Sequence, residues 1–299
     1  EVAVRAKPVA DVGDGLRAHG YFADLPLATA VFLAVRMGQP LFLEGDAGVG
    51  KTDLARVLAE LLDTRLIRLQ CYEGIDASQA LYEWNYARQL LHIRAAEAAA
   101  VPDVAALERS AYTREFLIAR PLLQALEHDG PRPAVLLIDE IDRADDEFEA
   151  FLLELLSEFA ISIPELGRIE ARRRPLVILT SNRTREVHDA LKRRCLYHWL
   201  EHPTREREIA ILRHKLPGLD ARLAERVALA LERLRRLELF KPPGVAEALD
   251  WGRALQVLGV AELDEAAAGA TLGTVLKYRE DQERARAEGL GGLIGAAGD

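Results

Sequence analysis

The run Gly45-Asp46-Ala47-Gly48-Val49-Gly50-Lys51-Thr52 satisfies the pattern GxxxxGK[ST] in full, and Asp53 extends it into the next turn. Glycines at 45, 48 and 50 let a backbone curl until successive N–H groups face the oxygens of a phosphate chain. Lys51 adds a point charge at the outer phosphates, and the Thr52 hydroxyl is a hard oxygen donor for Mg²⁺. A second pattern is Val135-Leu136-Leu137-Ile138-Asp139-Glu140, an apolar run ending in two carboxylates. Such a run places its acids at the carboxyl end of a buried strand, where ligands of open α/β sheets collect. Asp139 is then positioned for a metal's coordination shell and Glu140 to orient or deprotonate a water. An acidic strand end taken alone is more often the solvated start of a loop. Beside a phosphate loop, which still needs a metal carboxylate, the functional reading is the stronger.

The elements that must carry these residues follow from periodicity. A strand at 41–43 precedes the glycine loop, and Leu54, Val57, Leu58, Leu61 and Leu62 repeat at helical spacing after it. A helix over 27–37 comes earlier, with Gly38 as its stop. Further strands are expected at 65–70, 134–138, 176–180 and 196–199, separated by helical patterns, which predicts a parallel sheet covered on both faces. The run 161–171, with Pro and Gly between alternating stretches, reads as a β-hairpin. Beyond Pro203 the strand signal ends; Thr204 is an expected N-cap for a helix to Lys215, and two or three more helices follow to about Arg286. The glycine-rich stretch 288–295 is expected to fray.

Composition narrows the classes. The 299 residues are 49% hydrophobic and 29% charged, which excludes a predominantly disordered chain. Lys and Arg total 39 against 48 Asp and Glu, for a net charge of -9, so the overall field opposes phosphate backbones and no nucleic-acid partner is expected. No apolar run approaches the roughly 18–20 residues that span a bilayer, and residues 1–11 lack the build of a signal peptide. A cytoplasmic location is the expectation, with at most peripheral contact with a membrane. Cys71 and Cys195 lack ligand spacing and read as reduced thiols.

With these residues in hand, the chain resembles the AAA+ ATPases and, within them, the MoxR group. The glycine loop is similar to their Walker A motif, the strand ending Asp139-Glu140 to Walker B, and Asp139-Glu140-Ile141-Asp142-Arg143-Ala144 to the DEI[ND]RA signature. Residues 152–163 resemble the helix and strand that MoxR proteins place after Walker B, and the likeness covers about residues 15–285. Leu69-Gln70-Cys71-Tyr72-Glu73-Gly74 and Ala80-Leu81-Tyr82-Glu83-Trp84-Asn85-Tyr86 resemble the CoxD-like branch. The fold this implies is α/β: an AAA+ P-loop domain with a five-stranded parallel sheet in the order 5-1-4-3-2, plus a C-terminal α-helical lid. Its parts would be a core over 1–202 with the helix-2 insertion inside 71–130, a lid over 203–286, and a flexible glycine-rich tail over 287–299. Cys71 and Cys195 would then lie beside opposite edge strands, too far apart for a disulfide.

The resemblance also assigns roles. Asn182 matches sensor 1, which aligns the hydrolytic water with Glu140; a helix-capping Asn is the plainer alternative. Arg193 and Arg194 fall in the arginine-finger region, with Arg194 in the better register, and such a finger serves the neighbouring subunit's site. Arg253 falls where the lid contributes sensor 2, with a surface role equally open. Tyr21 and Phe22 lie where the adenine is usually received, or pack the N-terminal region. Tyr82, Trp84 and Tyr86 are either pore-facing grips or core anchors. The implied function is Mg²⁺-dependent ATP hydrolysis by a homo-hexameric chaperone that remodels a client with a von Willebrand A domain adaptor. A molybdenum hydroxylase such as aerobic carbon monoxide dehydrogenase is the implied client. The alternatives are a nucleotide-dependent switch without hydrolysis, and an activase for another enzyme such as Rubisco.

Overall fold

The computed structural model describes residues 9–98 and 104–295. In chain order its elements are α1 (Val9–Ala18), α2 (Leu25–Met37), β1 (Leu41–Gly45), α3 (Lys51–Leu61), β2 (Leu66–Gln70), α4 (Ala77–Ala80), β3 (Tyr82–Trp84), α5 (Tyr86–Ala98), α6 (Val104–Ala111), β4 (Leu117–Ala119), α7 (Pro121–Leu126) and β5 (Val135–Asp139). There follow α8 (Asp146–Glu158), β6 (Ala160–Ile163), β7 (Gly167–Glu170), β8 (Leu176–Ser181), α9 (Asp189–Lys192), β9 (Leu196–Leu200), α10 (Arg205–Lys215), α11 (Ala221–Arg235), α12 (Val245–Val257), α13 (Glu265–Val275), α14 (Arg279–Glu288) and α15 (Leu290–Ile294).

The main sheet has five strands in the order β2-β5-β8-β1-β9. With the strands of the two small hairpins set aside, this is the expected order 5-1-4-3-2. Residues of β1 and β5 are buried throughout, because helices cover both faces of a parallel sheet and leave no polar side to alternate. β5 pairs in parallel with β2 on one side and β8 on the other, and β8 pairs with β1. The anticipated hairpin is β6 paired antiparallel with β7. Within 71–130, β3 and β4 form a second antiparallel pair, joining Trp84 to Leu117.

The described residues form two compact units. One comprises 29–44 and 58–198, with a core of Phe42, Leu136, Ile138, Leu152 and Leu179. The other comprises 9–28, 45–57 and 199–295, with a core centred on Trp251, Leu231, Leu255 and Leu272. This division differs from an expected core over 1–202 and lid over 203–286, because residues 45–57 are tied by hydrogen bonds and ion pairs to residues of the C-terminal helices. α10 starts where expected, with the Thr204 hydroxyl accepting from Arg207 N–H. Among the described residues five more helices follow it, four of them before residue 289, where two or three were anticipated. The segment expected to fray from 288 instead forms α15. Leu290, Leu293 and Ile294 share one helical face that packs into the second core, and Arg226 donates to the carbonyls of Ile294 and Gly295. Residues 296–299 of the expected tail, and 1–8 and 99–103, lie outside the described residues.

Candidate functional site

The glycine loop leaves β1 at Gly45 and enters α3 at Lys51. Gly48 and Gly50 have φ of 82° and 101°, a region that a side-chain-bearing residue adopts only at a cost, so the curl depends on glycine there. Lys51 is buried, and its ammonium donates to the carbonyls of Gly45 and Asp46, both at 2.6 Å. The loop thereby carries its own cation at its centre. Thr52 is exposed at the start of α3. Burial pushes the Asp53 carboxyl up, but hydrogen bonds from Lys215 (2.6 Å) and Arg56 (2.9 Å) outweigh that and hold it below its usual value.

The same unit braces the loop from α12. Val245 N–H donates to the Gly48 carbonyl at 2.8 Å, and Gly244 lies so close that a Cβ on it would stand 2.8 Å from Gly48 O and 2.9 Å from Ala47 O. The Glu247 carboxylate accepts from Gly244 N–H at 2.9 Å. His202 Nε2 lies 3.1 Å from Asp46 Oδ2. Burial, with Arg235 nearby, disfavours the charged imidazolium more than Asp46 and Glu247 favour it, so His202 titrates below the ordinary histidine value. The Tyr21 ring lies against Gly50, fully buried, and burial pushes its phenol far above the usual range. Phe22 stands edge-on to His214 instead. Arg253 is exposed and lies 3.8 Å from Asp250 on its own helix. Nine positions beyond Gly244, it is about 13 Å further along the α12 axis than the turn that meets the loop, so the structure does not bring it to Gly48.

The two acids belong to the other unit. Asp139 ends β5, almost fully buried. Its Oδ1 accepts from the Thr180 hydroxyl at 2.6 Å, and its Oδ2 accepts from Arg68 Nη2 at 2.5 Å and Nε at 3.0 Å. Glu140 sits in the left-handed region at φ 55°. Its N–H donates to Thr180 Oγ1 at 2.8 Å, and its Oε2 accepts from Gln70 Nε2 at 3.0 Å. A non-glycine residue persists there only when its surroundings hold it, and here β2 and β8 both do. Asn182 follows β8, and its N–H donates to Asp142. Two neighbouring parallel strands of this unit, β5 and β8, thus deliver the acids and Asn182 at their carboxyl ends.

Arg193 pairs with Asp189 one turn earlier at 2.8 Å, and Arg194 reaches the Ser157 hydroxyl on α8. Of the three insertion aromatics, Trp84 is buried, standing edge-on to Tyr112 and Tyr82, whereas Tyr86 is exposed. Both cysteines are free, and burial pushes each thiol up to about 12, which fits inert, reduced side chains.

No group of three or more His, Cys, Asp or Glu is arranged to hold a metal among the described residues. That suits Mg²⁺ no less, since it is ordinarily held by one or two carboxylates together with phosphate and water. The Thr52 hydroxyl and the Asp139 carboxylate are both hard oxygen donors of the kind it takes. Sequence reasoning gave no role of their own to Arg68, Gln70, Thr180, Asp142, His202 and Gly244, although Gln70 and Asp142 stand in runs that carry the family resemblance. Arg68 and Gln70 did leave a signal: two polar residues at alternate positions of an otherwise apolar strand.

The AAA domain family (dynein-related subfamily) matches residues 40–195. Chaperone protein ClpB of Mycoplasma genitalium is 30% identical over 149 residues, which cover 49% of this chain and 17% of that protein. ClpB 2 of Thermosynechococcus vestitus is likewise 30% identical over 149 residues, covering 14% of that protein. The matched segment therefore spans less than a fifth of either relative. Among solved structures, the Thermotoga maritima RuvB Holliday junction branch migration motor is similar at a TM-score of 0.47 and 17% identity, over 87% of this chain and 68% of that one. Domain III of the Thermotoga maritima replication initiation protein DnaA is similar at 0.47 and 16%, over 87% and 96%.

Proposed function

Because the chain belongs to the AAA domain family, dynein-related subfamily, we propose that it binds ATP with Mg²⁺ and hydrolyses it to drive remodelling of a client protein. Lys51 exchanges the carbonyls of Gly45 and Asp46 for the outer phosphate oxygens, while the loop amides hold the chain of phosphates. Thr52 and Asp139 hold Mg²⁺, which when bound neutralises charge on the phosphates. Glu140 accepts the proton of the attacking water at a carboxylate oxygen, and Asn182 orients that water. Arg194, or its neighbour Arg193, stabilises the charge that develops in an adjacent subunit's site, which calls for a ring, taken here as a homo-hexamer.

The observation that carries hydrolysis over a mere switch is Glu140. Its backbone is held in a costly conformation by Thr180 and its carboxylate by Gln70, an arrangement that binding alone does not need. The resemblance of residues 69–74 and 80–86 to the CoxD-like branch of MoxR ATPases supports the finer reading. On that reading the chain acts in the cytoplasm with a von Willebrand A domain adaptor on a molybdenum hydroxylase under maturation.

The test is ATP turnover by the purified protein over a concentration series with Mg²⁺, with mass recorded in parallel, for wild type, Glu140→Gln and Arg194→Ala. Cooperative turnover that appears with hexamers, and falls at least ~100-fold in Glu140→Gln while ATP still binds, is the expected result. A protein that binds ATP and turns none over at any concentration would replace hydrolysis with the switch.

A further inference from the structure

We infer that Asp142 is a positioning residue, whose carboxylate bolts the segment bearing Asn182 to the turn bearing Glu140. The inference rests on the hydrolytic reading of those two residues. Asp142 lies in the 3-10 turn Ile141–Arg143, and Arg143 N–H closes that turn onto the Glu140 carbonyl at 3.0 Å. Asp142 is only 2% exposed. Its Oδ2 accepts from Asn182 N–H at 3.2 Å, from Thr184 N–H at 2.9 Å and from the Thr184 hydroxyl at 2.7 Å. All three donors come from the segment that leaves β8. Between them sits Arg183 at φ 56°, a second left-handed residue that the surroundings must hold. The two strained residues, Glu140 and Arg183, therefore flank one carboxylate and its three hydrogen bonds.

The rest of Asp142 argues against a role in stability alone. Its Oδ1 is buried without a hydrogen-bond partner among the described residues, and no salt bridge to Asp142 is present there. A buried carboxylate with one oxygen unmatched is a poor device for stability alone. An anion does, however, take three donors on one oxygen more strongly than a neutral acceptor does. An asparagine carbonyl could accept the same donors without the charge, whereas alanine would leave two N–H groups and a hydroxyl unmatched. The carboxylate thus sets the distance between the group that takes the proton and the group that orients the water.

Two readouts on the full-length protein test this: kcat and KM for ATP, and hydrogen exchange of the Asn182 and Thr184 amides without nucleotide. Asp142→Ala is expected to lower kcat about 100-fold with KM within about threefold, as misplacement of a reacting group by an ångström does. Exchange at 182 and 184 should rise at least about tenfold as the segment opens locally. Asp142→Asn should restore both readouts to near wild type, and Thr184→Val should lower kcat several-fold. Unchanged kcat in Asp142→Ala, loss of kcat and ATP affinity together, or an Asp142→Asn as deficient as the alanine variant would each overturn the inference. If Asp142→Ala does not fold, Thr184→Val and Asp142→Asn decide, and a Thr184→Val protein with wild-type kcat overturns it. Wild type without turnover at any concentration would instead overturn the hydrolytic reading, and the positioning role with it.

Discussion

Replacing Gly244 by alanine should disturb the glycine loop through main-chain sterics alone. The backbone at Gly244, φ -93° and ψ -168°, is open to any residue, so strain at the position is not the cause. The added Cβ would stand 2.8 Å from Gly48 O and 2.9 Å from Ala47 O, both main-chain atoms of a loop that cannot turn aside. Reaching an ordinary contact of about 3.4 Å means parting the loop from the start of α12 by roughly 0.6 Å, which stretches the Val245 N–H···O=C Gly48 bond from 2.8 Å to the limit of a hydrogen bond. Overpacking costs about 1–3 kcal/mol and the weakened hydrogen bond about 1 kcal/mol, while alanine returns about 0.4–1 kcal/mol through the unfolded chain. The net loss is about 2 kcal/mol, which for a protein of this size lowers Tm by roughly 4–8 °C. Calorimetry without nucleotide measures the loss in the free protein, and titration with a fluorescent ATP analogue measures whatever the bound loop loses beyond that, tenfold in affinity for each increment of about 1.4 kcal/mol. Gly292→Ala, where no heavy atom lies within 4 Å of the new Cβ, is the control for the substitution itself. A Gly244→Ala protein with wild-type Tm and affinity would refute the claim that α12 braces the loop.

Three further outcomes follow from the same geometry. Lys51→Met should weaken ATP binding at least ~100-fold, because a buried cation that already reaches two loop carbonyls has no substitute at the phosphates; equilibrium binding measures it. Arg68→Ala removes two hydrogen bonds from the buried Asp139 carboxylate. The cost is about 1–2 kcal/mol, below that of a fully buried pair because Arg68 is half exposed, and added Mg²⁺ with nucleotide should narrow the gap in thermal melts. His202 titrates below its ordinary value of 6.5 when folded, so on acidification the unfolded chain takes the proton first. Its contribution to stability is therefore present above pH 6.5 and lost as pH falls through the folded value, and His202→Gln should flatten the decline of Tm with acidification there.

What the sequence made legible was whatever a local rule controls. The main-sheet strands, the glycine loop, the two acids at the end of β5, the Thr204 cap and the β6–β7 hairpin each rest on a pattern confined to a few neighbouring residues, whereas the order of the strands came from the family resemblance. What it hid were partners joined only by the fold. Arg68 meets Asp139 because β2 and β5 pair in parallel with Gln70 opposite Asp139, a register that no window along the chain contains. Gly244 reads as one more turn glycine until its closeness to Gly48 is seen, and α15 reads as a loose tail because three apolar residues among glycines bury little without α11 and α13 to receive them. Arg253 shows the converse. Its residue type and helix left a phosphate role and a surface role equally open, and it is exposed beside Asp250, about 13 Å along α12 from Gly244. The left-handed turn at Glu140 lies between these cases. Its identity was legible as an acid at a strand end, but its conformation is held by Thr180 from the next strand, so the geometry of the residue proposed to act on water depends on a neighbour that the local sequence does not name.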